Sequence, residues 1–248
     1  EFIEEMKLRY GEDSNAFRIR VLGEFPQADD DTIIPYHLVE NAIHRDVEGD
    51  EDLPSVWGLD VSRFGNDKTA LCKRQGSIVT EIRSWSGLDL MQTVGRVVAE
   101  YESLLPSKRP REILVDSIGL GSGVVDRLRE LELPVRGINV AEAPSMGATY
   151  LNLRSELWFK TKGWFEDRAC KLPKDDQLLA ELTGIRYSFT SSGKMKAESK
   201  DEMRKRGLAS PDLADALCLT MASDAATALS GAFSSWRGEI KRNLRGIA

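Results

Sequence analysis

Residues 56–85 have the sequence VWGLDVSRFGNDKTALCKRQGSIVTEIRSW, in which three short runs have the composition of β-strands. The runs cover residues 56–64, 68–75 and 77–85 and are rich in β-branched and aromatic side chains. Turn residues separate them, the tripeptide GND in the first gap and Gly76 in the second. Short strands joined by tight turns are typical of consecutive hairpins, so this stretch predicts an antiparallel three-stranded meander.

The segments after the meander alternate between helical and strand patterns. The predicted elements are helices at 89–105, 121–133, 150–165, 176–185 and 210–229, strands at 111–117 and 135–140, and a hairpin formed by 186–190 and 194–199. The order βββ-α-β-α-β-α, followed by the hairpin and the closing helix, predicts an α/β domain in which the meander continues into parallel β-α-β units. This order resembles that of the ribonuclease H-like fold, which has a mixed central sheet flanked by helices.

The part of the chain before the meander differs in composition. It contains two helical patterns, at 1–10 and after Pro35, and it ends in EGDEDLP (48–54), which has the composition of a linker. We therefore predict an N-terminal extension over 1–54, a main domain over 55–230 and a basic C-terminal tail over 231–248.

The charges are unevenly distributed along the chain. Residues 1–55 carry 15 acidic and five basic side chains, a net charge of −10 against −6 for the whole chain, so residues 56–248 carry +4. Lys and Arg are concentrated in 194–206 and 236–248. Such clusters can attract phosphate groups locally, although a solvated surface or a chain end explains each of them equally simply.

Composition excludes several classes of protein. With 41% hydrophobic and 30% charged residues, the 248-residue chain can form a globular core. No apolar run approaches the ~20 residues of a membrane span, and the first residues do not form a basic-then-apolar leader, so we expect a cytosolic-type protein. Cys72, Cys170 and Cys218 are too dispersed for a zinc site or a disulfide framework. The only histidines, His37 and His44, leave little material for histidine-based chemistry.

Four aspartates stand where the predicted fold would bring them together. Asp60 lies in the first strand between apolar residues, and Asp116 ends the strand at 111–117. Asp212 and Asp215 are three residues apart in the closing helix, so they share one of its faces. Ligands bind at the carboxyl ends of strands in open sheets, and clustered carboxylates suit Mg²⁺ or Mn²⁺. The pattern therefore predicts an acidic metal site.

Each of these aspartates also has a purely structural alternative. Ser210 is a suitable N-cap with Pro211 at the first helical position, so Asp212 would simply complement the helix dipole. Asp116 would form a turn before the glycine-rich segment that follows, and Asp60 would make a hydrogen bond at the end of its strand.

The glycine-rich segment GLGSG (119–123) is not a phosphate-binding P-loop. The string G-x-x-x-x-G-K-[ST] occurs nowhere in the chain, which argues against ATP hydrolysis of that type. We expect these glycines to allow a sharp turn from strand to helix, with the helix N-terminus beside the acidic site. Asp67 is either a supporting metal ligand or a turn residue.

Four motifs together resemble a known family. The stretches GLDVSRFGNDKTAL (58–71), ILVDSIGLGSGVVDRL (113–128) and KRGLASPDLADALCLT (205–220), preceded by RVLGEFPQADDDTIIP (20–35), are similar to the C-terminal nuclease half of the large terminase subunit of tailed bacteriophages. The resemblance covers roughly residues 16–225. Family members join an N-terminal packaging ATPase to a ribonuclease H/RuvC-like nuclease that cuts concatemeric viral DNA.

The resemblance implies specific roles for the acidic residues. Asp60, Asp116 and Asp215 would be catalytic and would bind two Mg²⁺ or Mn²⁺ ions, with Asp212 as an auxiliary ligand. Asp60 would bridge ions ~4 Å apart, one activating water and the other stabilising the leaving 3′-oxygen. No histidine base is required.

The resemblance also implies partners and a location. The substrate would be double-stranded DNA, and the partners would be the packaging ATPase domain, which this chain lacks, the portal protein and the small terminase subunit. The location would be the host cytoplasm, at the portal vertex of the procapsid during packaging, with no membrane association. Lys196, Lys200, Arg204 and Lys205 are the candidate contacts to DNA phosphates.

Two other functions remain open for this sequence. A RuvC-like Holliday-junction resolvase would share the fold and prefer four-way junctions to linear duplexes. A catalytically silent module with a ribonuclease H-like fold would instead dock on another packaging protein.

Overall fold

The computed structural model of the chain describes residues 31–50, 52–62 and 67–223, together with residue 3 and residues 21–23. The elements in chain order are α1 (Tyr36–His44), β1 (Ser55–Asp60), β2 (Thr69–Gln75), β3 (Ile78–Trp85), α2 (Leu90–Glu102), β4 (Glu112–Asp116), α3 (Gly121–Glu130), β5 (Val135–Ile138), α4 (Leu153–Glu166), α5 (Asp176–Gly184), β6 (Tyr187–Phe189), β7 (Met195–Ala197), α6 (Lys200–Lys205) and α7 (Asp212–Leu219). Short 3₁₀ turns at Pro106–Lys108 and Thr220–Ala222 complete the list.

A five-stranded mixed sheet with the order β3-β2-β1-β4-β5 forms the centre of the molecule. The strands β1, β2 and β3 pair antiparallel, as the meander predicted, and β4 and β5 add parallel to β1. The hairpin β6–β7 forms a separate small sheet. The predicted α/β class and ribonuclease H-like order are confirmed.

The alternation of side chains in the central strands divides the core into two layers. Trp57 and Leu59 of β1 pack with α2 and α3 on one face of the sheet. Val56 lies on the opposite face, where it packs with Leu219 of α7. Because side chains alternate along a strand, Gly58 and Asp60 share that second face. The sheet therefore presents Asp60 to the α7 side of the molecule.

The segment before β1 is not separate from the main domain over its described part. Ile33, Ile34 and Val39 are fully buried in the core cluster that includes Trp158 and Phe165 of α4. The backbone N–H of Ile33 donates to the carbonyl of Ile185, which ties this segment to the end of α5. Apolar residues before the linker therefore extend the packed unit upstream of the predicted boundary at residue 54.

Two details of the closing helix differ from the prediction over 210–229. The helix begins at Asp212, and Pro211 is its N-cap with no side-chain capping bond, so Ser210 does not cap it. The α-helix ends at Leu219, and residues beyond 223 lie outside the described part of the chain, as does the predicted basic tail. In the described ranges no helix has the length and apolarity needed to cross a membrane.

Candidate active site

The close packing of α7 on β1 creates the site. An ideal Cβ atom at Gly58 would lie 2.0 Å from the carbonyl oxygen of Ala216, so only glycine allows the helix to approach the strand this closely. Asp60 lies two residues after Gly58 on the same face, and Asp212 lies one helical turn before Ala216. The contact between strand and helix therefore brings the first and the last predicted acids together.

Asp116 lies beside Asp60 at the same edge of the sheet. The parallel register pairs Leu59 with Val115, so the two aspartates follow paired residues at the carboxyl ends of adjacent strands. Oδ1 of Asp116 also accepts the N–H of Ile118 at 3.1 Å, which is the turn bond considered as its alternative role. The orientation of its carboxylate is therefore partly set by the turn.

The glycines after β4 allow the predicted sharp turn. Gly119 has a φ of +63°, and an ideal Cβ at Gly121 would lie 1.6 Å from the carbonyl oxygen of Asp116. Helix α3 begins at Gly121, directly after the strand that carries the aspartate. The expected strand-to-helix turn beside the site is confirmed.

Buried acceptors fix the beginning of α7. Asp212 is 3% exposed, and its Oδ2 accepts the backbone N–H of Lys68 at 2.6 Å. Oε2 of the buried Glu181 in α5 accepts the N–H of Ala214 at 3.0 Å, so it satisfies a donor of the first helical turn. Burial raises the pKa of Glu181 to about 8. No local pattern singled out Glu181, because the α7 backbone group that it accepts from lies 33 residues away.

The side chain of Lys200 joins three of the four aspartates. Its Nζ lies 2.9 Å from Oδ2 of Asp60, 3.3 Å from Oδ1 of Asp212 and 3.6 Å from Oδ2 of Asp215. Lys200 is the first residue of α6, whose N-terminus is closed by a capping box between Ser199 and Glu202. The carboxylates thus converge on one positive charge.

Two residues of α4 complete the surroundings of Asp215. Nε1 of Trp158 donates to Oδ1 of Asp215 at 2.9 Å, and Nη2 of Arg154 donates to the same oxygen at 3.1 Å. Sequence reasoning missed both residues. The only signal was their spacing of four, which places them on one face of a helix.

The electrostatics of the site reflect buried negative charge. The pKa of Asp60 is raised to about 7, mainly by burial; Lys200 lowers it, and the carboxylates of Asp215 and Asp212 contribute to the rise. Burial, together with Asp215, also raises the pKa of Asp116. Although burial alone would lower the pKa of Lys200, the three carboxylates raise it above its ordinary value. Lys200 is therefore a permanent cation here.

The site opens into a cavity of about 270 Å³. Its charged lining residues are Asp60, Asp116, Asp215, Arg154, Lys196 and Lys200, and apolar side chains such as Val140, Leu157 and Leu219 also line it. Among the described residues, no three acidic, histidine or cysteine side chains form a ready-made metal cluster. The ammonium group of Lys200 instead lies within ion-pair distance of Asp60 and Asp212.

The four basic residues predicted to contact DNA have different surroundings. Lys196 lines the cavity and pairs with Glu202 at 2.8 Å. Lys200 lies inside the acidic cluster. Arg204 pairs with Asp67 and Asp201, each at 2.8 Å, so the carboxylate of Asp67 is held by a cation at the surface. Lys205 is exposed at the end of α6.

Comparison with known proteins gives one curated relative. The probable large terminase subunit of Enterobacteria phage P7 is 26% identical over 234 residues, which cover 85% of this chain. The chain spans about half of that relative, 45% of its length. No protein-family model matches the chain.

Solved structures similar to this chain include nuclease domains of large terminases. The domain from bacterial virus Sf6 is 22% identical, with a TM-score of 0.64 over 76% of this chain and 97% of its own. The domain from thermophilic phage G20c, solved with bound magnesium, is 16% identical, with a TM-score of 0.58 over 78% of this chain and 97% of its own. The domain from Thermus phage P74-26 is 14% identical, with a TM-score of 0.54 over 75% of this chain and 92% of its own. The resemblance predicted from the motifs is therefore confirmed: the chain is similar in sequence to a phage large terminase subunit and shares the fold of terminase nuclease domains.

Proposed function

We propose that the chain is the metal-dependent endonuclease domain of a phage DNA-packaging motor and that it hydrolyses phosphodiester bonds of double-stranded viral DNA. The observation that carries the proposal is the convergence of Asp60, Asp212 and Asp215 on one cationic group within 3.6 Å, while Asp116 lines the same cavity. The solved neighbour from phage G20c carries bound magnesium, and a variant of the Sf6 domain was solved with manganese.

The donor set fits a hard divalent cation. All four candidate ligands are carboxylates, and oxygen ligands are those that Mg²⁺ and Mn²⁺ prefer. Three carboxylates already surround the single ammonium group of Lys200, so one positive charge faces up to three negative charges. We assign Asp60, Asp116 and Asp215 as ligands of two ions, with Asp212 supporting them from the first turn of α7.

The chemistry divides between the ions and the protein. When bound, the divalent ions supply activation of water and stabilisation of the leaving oxygen. Asp60 and Asp116 contribute fixed carboxylates at two adjacent strand ends, and the close packing of α7 fixes Asp212 and Asp215 opposite them. Before metal binding, the ammonium group of Lys200 holds the carboxylates together. Once metal ions bind the carboxylates, this group can reach a DNA phosphate instead.

DNA binding would depend on basic groups around the cavity. Lys196 and Lys200 line it, and Arg204 and Lys205 lie on α6 immediately beyond it. Contacts to phosphates would be independent of base sequence, which suits cutting wherever a head is full. Within the motor, we propose the packaging ATPase, the portal protein and the small terminase subunit as partners. The domain over 55–230 would act with the N-terminal segment as its connection to the ATPase.

Plasmid cleavage with and without divalent ions tests this proposal. The chain should cut a plasmid in Mn²⁺ and stop when a chelator is added. Asp60→Asn should abolish cutting and leave the fold intact, because asparagine fills the same volume. Asp126→Asn is the matched control, since Asp126 lies on α3 with its side chain 71% exposed.

The outcomes separate the competing functions. Cleavage that persists in chelator, or an active Asp60→Asn variant, would overturn the metal site. A strong preference for four-way junctions over linear duplex would favour a resolvase. A chain that never cuts DNA in Mn²⁺ would favour a silent docking module.

A further inference from the structure

We infer that Trp158 and Arg154 are positioning residues that fix the carboxylate of Asp215 for metal binding. The inference rests on the proposed function, in which Asp215 is a metal ligand. Neither residue needs to touch a metal ion or DNA for this role, because both act through Asp215.

The geometry around Asp215 assigns different roles to its two oxygens. Oδ1 accepts from Nε1 of Trp158 at 2.9 Å and from Nη2 of Arg154 at 3.1 Å. Oδ2 lies 3.4 Å from the same Arg154 nitrogen and 3.6 Å from Nζ of Lys200. Rotation of the carboxylate would break the two shorter bonds together. The two donors therefore hold Oδ1 and keep Oδ2 directed toward the cation position.

The donors are themselves held in place. The side chain of Trp158 is fully buried. The guanidinium carbon of Arg154 lies 5.9 Å from the centre of the Trp158 ring. Nη1 of Arg154 donates to the carbonyl of Glu198 at 2.6 Å, which joins α4 to the segment before α6. A metal-binding carboxylate whose partners are fixed in this way has its orientation set before the metal arrives.

The contact made by Trp158 differs from that of another tryptophan in the same helix. Trp164 is also buried, but within the described residues its Nε1 has no hydrogen-bond partner. Burial of an indole in α4 therefore does not by itself require an acceptor. Trp164 is a matched control that shares the helix, the residue type and the burial of Trp158 but not its contact with Asp215.

Calorimetric titration of the whole 248-residue chain with Mn²⁺ alone, without DNA, tests the inference. Trp158→Phe removes the N–H donor, keeps an aromatic ring and leaves the net charge unchanged. We expect it to raise the Kd for Mn²⁺ about tenfold, as loss of a partner to a metal ligand typically does. Trp164→Phe should leave the Kd unchanged, and Asp215→Ala should lose Mn²⁺ binding at the site.

Each combination of results has one meaning. If Trp158→Phe binds Mn²⁺ as the unsubstituted chain does, or if both tryptophan variants weaken binding equally, the inference is overturned. If Asp215→Ala itself binds normally, the assigned ligand set of the proposed function fails instead. Should Trp158→Phe not fold, Arg154→Lys removes the forked donor at constant charge. A raised Kd in that variant supports the inference, and an unchanged Kd overturns it.

Discussion

The ammonium group of Lys200 lies 2.9 Å from Oδ2 of Asp60, although 140 positions separate the two residues in the chain. The same group is within 3.6 Å of Asp212 and Asp215, so one lysine neutralises part of a buried cluster of carboxylates. Under the proposed function, a metal ion that binds these carboxylates would have to compete with an internal cation. This competition would make Lys200 a determinant of metal affinity in the absence of DNA.

Lys200→Ala should therefore tighten Mn²⁺ binding. Removing this charge leaves Asp60 and Asp212 without a cationic partner and Asp215 with Arg154 alone, and we expect the Kd to fall at least about tenfold. The metal-free variant should also unfold at lower temperature, because buried charges have lost their partner. Calorimetry and thermal unfolding with and without Mn²⁺ measure both effects.

Lys205→Ala is the control for the lysine prediction. Lys205 is exposed at the other end of α6, and its replacement should change neither the Kd nor the unfolding temperature of the metal-free chain. Equal Mn²⁺ affinities for Lys200→Ala and the unsubstituted chain would show that the ammonium group does not compete for the site.

The sequence predicted the parts of the site that follow from strand order and side-chain alternation. Asp60 and Asp116 were predictable because each stands in an apolar run at the carboxyl end of a strand. Asp215 was predictable because a carboxylate is unusual in a helix of Ala and Leu. These signals are local, and the fold brings them together through the parallel pairing of β1 and β4.

Other parts of the site depend on tertiary packing that local patterns do not encode. The charges near Lys200 resemble an exposed surface segment, since six residues of α6 are too few for a recognisable apolar face. Ser199 and Glu202 have the spacing of a capping box, but no helix was predicted at 200–205. Trp158 and Arg154 have the pattern of ordinary core and surface residues, and only the position of Asp215 gives them a role.

Gly58→Ala should destabilise the chain and weaken the site together. The new methyl group would lie 2.0 Å from the carbonyl oxygen of Ala216 and 3.0 Å from Cγ2 of Thr220, so α7 would have to move away from β1. We expect a loss of about 3 kcal/mol in the free energy of unfolding, at the upper end of typical overpacking costs. Urea unfolding measures this loss, and Mn²⁺ titration should show weaker binding.

Gly163→Ala controls for the effect of replacing any glycine by alanine. Gly163 lies inside α4, and apart from its chain neighbours and the adjacent helix backbone no atom is within 4 Å of its ideal Cβ, so the substitution should stabilise the helix by about 0.5–1 kcal/mol. A Gly58→Ala variant as stable as the unsubstituted chain would mean that α7 does not depend on this close approach.

Binding of Mn²⁺ should depend on pH through Asp60. Its pKa is raised to about 7 in the metal-free protein, so below that pH the carboxyl is protonated and a metal ion has to displace the proton. Affinity should therefore rise as the pH increases from about 6 to 8 and level off above that range. Calorimetry in buffers of different ionisation enthalpy would detect the released proton. An affinity that is constant from pH 6 to 8 would contradict the prediction.

The same raised pKa has a consequence for the stability of the metal-free chain. Between the unfolded value of about 4 and the folded value of about 7, the folded state binds a proton that the unfolded state has lost. The free energy of unfolding should therefore fall as the pH rises across this window. Asp60→Asn removes the group, so its stability should decline less than that of the unsubstituted chain. Parallel declines would show that Asp60 does not titrate in this window.

DNA binding should show a salt dependence to which Lys205 contributes. Lys205 is exposed and makes no ion pair among the described residues, so it can approach a phosphate without first losing a carboxylate partner. Binding is measured in the presence of a chelator, which prevents cleavage. Lys205→Ala should weaken binding to duplex DNA. It should also reduce the slope of the logarithm of the association constant against the logarithm of the salt concentration by about 0.9. The reduction should be the same for duplexes of unrelated sequence.

Arg129→Ala is the control for this prediction. Arg129 lies on α3 on the opposite face of the sheet, so its replacement should leave the slope unchanged. An equal effect of both substitutions would indicate general electrostatic attraction rather than a DNA path beside α6.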